Sequence, residues 1–158
     1  MNQKEKDNKL SLTPEGLQKI RDELKDLIEN KRPEVAKRIQ NARDAGDISE
    51  NSEYDAAKQE QSYVEGRIAE LEDIIKNSRV SEVKTNDMVG VGCKVTLHME
   101  SSEDTFYIVG APEADPLANK ISYESPLGSA LLGKRVGEKV EFEAPVGKLI
   151  YTITKIEY

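Results

Sequence analysis

The chain has 158 residues, with 23 Lys and Arg against 30 Asp and Glu and a formal net charge of −7. That balance argues against general affinity for nucleic acid and leaves a local basic patch as the only electrostatic route to one. A single cysteine, Cys93, excludes an internal disulfide framework and fits a reducing cytoplasm, while 37% hydrophobic and 34% charged residues describe one domain or two small ones with modest cores.

Met1 to Leu10 is charged and lacks the apolar run of a signal peptide, and no stretch is apolar enough to span a membrane, so a cytoplasmic protein without a membrane partner is expected. Thr13-Pro14-Glu15 opens a helix: a capping hydroxyl, a proline at the first helical position and an acid in the first turn. Leu17, Ile20, Leu24 and Leu27 recur at helical spacing, and after a slip Ile28, Val35, Ile39 and Ala42 carry the stripe onward. Pro33 removes a backbone donor and clashes with the preceding turn, so the slip is assigned to a kink there.

Ala45 to Asn51 is a polar break. Beyond it Tyr54, Ala57, Gln61, Val64, Ile68, Leu71 and Ile75 alternate three and four without an error, and the run fades at Asn77-Ser78. Two such stripes joined by a short turn bury each other, which predicts an antiparallel coiled coil with arms about 40 Å long. Small residues near the break, Ala42, Ala45, Gly46, Ala56 and Ala57, predict a slim tip.

After Val80 the pattern turns to β. Met88 to His98, Thr105 to Gly110, Lys139 to Ala144 and Lys148 to Ile156 are enriched in β-branched and aromatic residues, and Pro145-Val146-Gly147 reads as the turn of a closing hairpin. Ser125-Pro126 starts a short helix through Leu131-Leu132, which Gly133 ends in the left-handed conformation. The fold class is therefore α+β: a charged lead over residues 1–10, a helical hairpin over 11–80, and a small antiparallel β domain with one short helix over 81–158.

Two features carry chemistry. Asp47 and Glu50 stand in the break, and either they form a capping box, with Ser49 as a competing N-cap, or they serve as metal ligands. Two carboxylates are too few for a complete cage, and Mg²⁺ sites commonly take their other ligands from water and substrate phosphates, so a metal here implies a partner that completes the site. Lys31, Arg32, Lys37, Arg38 and Arg43 make a basic run relieved only by Glu34, with Lys58 on the return arm. It reads as a solvated coiled-coil flank or as a nucleic-acid patch. His98, the only histidine, reads as a strand residue rather than a ligand.

The stretch from Ala42 through Gly46-Asp47-Ile48-Ser49-Glu50-Asn51 to Lys58 closely resembles the signature of the bacterial Gre transcript cleavage factors. The resemblance continues through Leu12-Thr13-Pro14-Glu15-Gly16, Arg32-Pro33, Glu65-Gly66-Arg67-Ile68, Ile121-Ser122 and Ser125 to Lys134. Ile48 and Ser52 stand where leucine and alanine are usual, which leaves the acids in place.

This resemblance implies an FKBP-like second domain and a coiled coil inserted into the secondary channel of RNA polymerase. Asp47 and Glu50 would be the catalytic and metal residues, helping to hold a Mg²⁺ shared with the polymerase and not bound tightly by the free protein. The polymerase would then hydrolyse the nascent RNA 3′ end of a backtracked complex, so this chain would not itself be an enzyme. Arg43 and Lys58 would attract the RNA, Ser125, Pro126 and Leu127 would contact the polymerase, and a monomer is expected. The rival readings are a prolyl isomerase, disfavoured because Phe106 and Phe142 are the only phenylalanines and Trp is absent; a coiled-coil chaperone or adaptor; and a channel-binding inhibitor without cleavage activity.

Overall fold

The structure is a computed structural model, in which residues 9–46, 51–81, 87–99 and 102–158 are described. By contact the chain forms two units: residues 18–77, and residues up to 17 together with those from 78 onward.

The first unit is a helical hairpin. Helix α1 (Pro14–Asp26) runs through a π-helical segment, Leu27–Lys31, directly into α2 (Arg32–Asp44), and α3 (Ser52–Asn77) returns. The ion pairs fix the sense of pairing, because Glu23 meets Arg67, Arg32 meets Glu65 and Arg38 meets Glu53 and Glu60, so sequence positions fall on one arm as they rise on the other. Val35, Ile39, Ala57, Val64 and Ile68 form the buried seam, with Leu24, Leu27 and Tyr54 at its margin.

Pro33 is accommodated by the π segment rather than by a simple kink. The Arg32 N–H reaches back to the Leu27 carbonyl, one residue further than an α-helix allows. That wider turn absorbs one residue, so the eight-residue step from Leu27 to Val35 covers the two turns that a step of about seven ordinarily covers, and Val35 returns to the seam. Ile28 is not a seam residue as the sequence pattern implies: it is 36% exposed, because the slip in the stripe here is the inserted residue itself.

The second unit is built on a five-stranded sheet of order β5-β4-β3-β7-β6, made of β3 (Lys94–Met99), β4 (Ser102–Val109), β5 (Lys120–Ser122), β6 (Lys139–Ala144) and β7 (Gly147–Glu157). A separate parallel pair, β1 (Leu10–Leu12) with β2 (Ser78–Val80), joins residues far apart in sequence. The sheet is not wholly antiparallel as the sequence implied, for β5 runs parallel to β4 after two 3₁₀ turns, Ala111–Glu113 and Pro116–Ala118. The strand expected from Met88 begins at Lys94; Met88 makes only an isolated bridge to Arg135.

Alternation sorts the sheet's faces. Val95 and Leu97 of β3 and Tyr151 and Ile153 of β7 point inward with Cys93, Ile108, Val140 and Leu131. A register shift opposite Thr96 and Leu97 lets β7 change parity, so Ile156 also packs on this core three residues after Ile153. Burial pushes the Cys93 thiol up from its ordinary pKa, and the side chain behaves as a core hydrophobe. His98 lies exposed on β3, as a strand residue should.

Helix α4 (Pro126–Leu131) is held tightly against β5. The Ser125 hydroxyl donates to the Ser122 carbonyl at 2.6 Å and accepts from the Gly128 N–H at 3.1 Å. A Cβ on Gly128 would run into the Ser122 carbonyl. Alanine ordinarily favours a helix over glycine by about 1 kcal/mol, but here backbone overlap outweighs it: Gly128→Ala is expected to destabilise this unit by roughly 1 to 3 kcal/mol in urea unfolding followed by tyrosine fluorescence. A variant as stable as the parent contradicts this packing.

Candidate functional site at the hairpin tip

Helix α2 ends as its residues become small. Ala42 is buried against α3, and Gly46 takes a φ of +118°, open to a residue without a Cβ. The Gly46 N–H turns to the Arg43 carbonyl instead of the Ala42 carbonyl four residues back, so the helix leaves Ala42 without its usual partner.

Asn51 answers that vacancy and starts the next helix. Its side-chain N–H donates to the Ala42 carbonyl at 2.9 Å, while its carbonyl oxygen accepts from the Glu53 and Tyr54 amides at 3.1 and 3.2 Å. The N-cap of α3 is thus Asn51, not Asp47 or Ser49, and α3 does not begin with a capping box from Asp47 to Glu50. The signal was present in the sequence: asparagine is among the best N-caps, and it stands directly before the periodic run with Glu53 in the first turn. Asp47 and Glu50 themselves lie outside the described residues.

The basic run separates into paired and unpaired members. Arg32 holds Glu65 through two bonds of 2.7 and 2.6 Å. Arg38 bonds Glu53 at 2.8 and 3.2 Å and also contacts Glu60, and Lys31 bonds Glu34 at 3.1 Å. The hydrogen bond from Arg32 holds the Glu65 carboxyl below its ordinary range, so the pair's contribution is present at neutral pH and is lost as pH falls through that lowered value. Arg32 and Arg38 stitch the arms together while Lys31 pairs within its own arm, and the patch reading is corrected for all three, which are already matched by carboxylates.

Arg43 and Lys58 differ. Among the described residues neither forms an ion pair with a carboxylate. Arg43 stands over the Tyr54 ring at 5.9 Å, a cation–π contact that steadies the guanidinium without neutralising it. The Lys58 ammonium bonds only a neutral amide oxygen, that of Gln61, at 2.8 Å. Tyr54 and Lys58 are one helical turn apart, so Arg43 sits over the near neighbour of Lys58. Tyr54 is a site residue the sequence reading used only for packing.

In the other unit, Ser125 is consumed as the cap of α4 and Leu127 packs on the sheet core, which leaves Pro126 as the exposed member of that candidate contact. No three His, Cys, Asp or Glu side chains come together as a metal site among the described residues. No helix of the described residues is long and apolar enough to cross a membrane.

Comparison with known families places these features. Residues 10–80 match the family model described as transcription elongation factor, N-terminal, and residues 84–158 match transcription elongation factor, GreA/GreB, C-terminal. The chain belongs to the GreA/GreB family of transcription elongation factors.

It is 51% identical to transcription elongation factor GreA of Thermoanaerobacter pseudethanolicus over 92% of this chain and 95% of the relative. The corresponding factor of Bacillus subtilis is 46% identical over 92% and 94%. Among solved structures, GreA factor homolog 1 of Thermus thermophilus is 31% identical, with 95% of this chain and 99% of that one covered at a TM-score of 0.45.

The capping geometry makes a prediction for this family member. Asn51→Ala is expected to lower hairpin stability by roughly 0.5 to 2 kcal/mol, the ordinary worth of an N-cap, whereas Asp47→Ala is expected to leave it unchanged. Thermal unfolding followed by helical circular dichroism distinguishes the two, and an equal loss in Asp47→Ala would restore the capping role to that residue.

Proposed function

We propose that this chain inserts its helical tip into the secondary channel of RNA polymerase and stimulates hydrolysis of the RNA 3′ end in backtracked complexes. The carrying observation is that the acid-bearing segment Gly46-Asp47-Ile48-Ser49-Glu50 adjoins a helix whose start is already capped by Asn51, so the fold makes no demand on either acid for that cap. The printed names of the relatives support the setting in transcript elongation.

In this reading Asp47 and Glu50 offer hard carboxylate oxygens to a Mg²⁺ that the polymerase site also holds, which suits the donor chemistry of that ion. When bound, such an ion stabilises charge on the attacking and leaving oxygens of an in-line phosphoryl displacement. The chain itself contributes ligands and is not the enzyme. Arg43 and Lys58 draw the RNA backbone toward the tip, Arg43 held in place by Tyr54. Pro126, on the exposed start of α4, is the docking contact retained from the set Ser125, Pro126 and Leu127. A monomer acting in the cytoplasm completes the reading.

Two outcomes follow. Asp47→Ala or Glu50→Ala is expected to abolish most stimulation of cleavage in a backtracked complex while the concentration for half-maximal binding to polymerase stays nearly unchanged; a fully active Asp47→Ala protein would falsify the ligand role. Neutralising Arg43 and Lys58 together is expected to weaken cleavage most at low salt, because exposed charges reach only about 8 Å at physiological ionic strength. Equal losses at low and high salt count against steering.

A further inference from the structure

We propose that Arg43 is a stacking platform for an unpaired base of the extruded RNA, with the Tyr54 ring as the backing that holds its guanidinium in place. The inference rests on the proposed role of Arg43 and Lys58 in drawing RNA, and it names what the arginine recognises: a base through its plane, and not only a phosphate through its charge.

The platform is built from the seam outward. Tyr54 packs at the margin of the buried seam, and its N–H donates to the Asn51 side-chain oxygen at 3.2 Å, so the ring belongs to the capped first turn of α3. The Arg43 guanidinium lies over that ring, 5.9 Å from its centre. Arg43 is exposed, and a planar cation resting on one ring keeps its opposite face for a second planar group.

Arg32, Arg38 and Arg67 are used differently, turning their N–H groups to carboxylates across the arms. Among the described residues Arg43 is the arginine set over an aromatic ring. A cation that only attracts phosphate needs no such backing. Lys58 is a cation of that kind, one turn along α3 from Tyr54, with its ammonium bonded to the Gln61 amide oxygen at 2.8 Å. The two side chains therefore divide one single-stranded segment between them. The guanidinium stacks on a base, as unpaired RNA bases do on arginine planes and aromatic rings, and the ammonium meets a phosphate as a point charge. No hydrogen bond to a base edge is required, so the platform accepts all four bases.

The test separates plane from charge. Arg43→Lys keeps the charge and removes the plane. Tyr54→Leu keeps apolar packing on the seam and removes the ring, and Tyr54→Phe gives the ring back. Each variant is titrated at low and high salt against a polymerase complex backtracked on synthetic RNA, made once with normal nucleotides and once with abasic nucleotides throughout the extruded 3′ segment, and cleavage is expressed relative to polymerase alone.

At saturating protein, Arg43→Lys and Tyr54→Leu are expected to lower the maximal rate on normal RNA roughly fivefold or more, the scale of one base stack. The factor should be the same at both salts, with the half-saturating concentration unchanged, and Tyr54→Phe should restore the rate lost in Tyr54→Leu. On abasic RNA the wild-type rate should fall to the level of Arg43→Lys, and neither substitution should lower it further. A wild-type rate in Arg43→Lys overturns the proposal. A loss of equal size on abasic RNA also overturns it, assigning Arg43 to a group of the polymerase, as does a loss that vanishes at high salt, which returns Arg43 to simple steering. If Tyr54→Leu unfolds early by circular dichroism, Arg43→Lys, at an exposed position, decides alone. Absence of any stimulation by the wild-type chain is a failure of the proposed function itself, so the two failures are distinct.

Discussion

The hairpin depends on keeping one apolar face of a single long helix turned toward its partner across a proline. Pro33 offers no amide to the turn before it and its ring needs room there, yet Val35 must reach the seam two residues later. The π segment at Leu27–Lys31 satisfies both demands, widening one turn where the proline leaves a hydrogen bond missing and realigning the stripe by one residue. Everything toward the tip inherits this register. Were the extra residue not absorbed, Ile39 and Ala42 would rotate off α3, and Ala42 could not present its carbonyl to Asn51.

Apolar burial supplies the attraction between the arms, and charge supplies the register. Each fully buried Val, Leu or Ile contributes roughly 1.5 to 3 kcal/mol, far more than an exposed ion pair, so Val35, Val64, Ile68 and Leu71 dominate. A smooth apolar stripe, however, tolerates sliding. The two-pronged pairs Arg32 with Glu65 and Arg67 with Glu23 have fixed geometry and match at one register only. The basic residues of the hairpin therefore do two kinds of work. Arg32, Arg38 and Arg67 along the shaft are matched by carboxylates across the arms, and Arg43 and Lys58 near the tip have no carboxylate partner among the described residues.

The long elements were legible because they follow a single period. The faultless three-and-four spacing of α3, the alternation of Val95 with Leu97 and of Tyr151 with Ile153, and the Ser125-Pro126 start of α4 all state their structure locally. What was illegible depended on distant partners. Strand β1 exists because Leu10–Leu12 finds Ser78–Val80, a pairing that three residues cannot announce, and β5 is a short strand admitted by a place beside β4. Ile28 was misplaced because a slip in a hydrophobic pattern does not say which residue is the extra one. The cap of α3 was missed for another reason: Asp47, Ser49 and Asn51 are all capping residue types, and only the position where the helix begins chooses among them.

That choice bears on why acids stand in the break at all. A helix end exposes orphan carbonyls and a helix start exposes orphan amides, and a tight hairpin brings one of each into a small space. An aspartate, as good an N-cap as asparagine, would satisfy the amides, and its negative charge would also suit the positive end of the helix. It would leave the Ala42 carbonyl unmet, and it would commit a carboxylate to the fold. Asn51 meets both needs while carrying no charge. The start of α3 is thereby capped without Asp47 or Glu50, and neither carboxylate is committed to that cap.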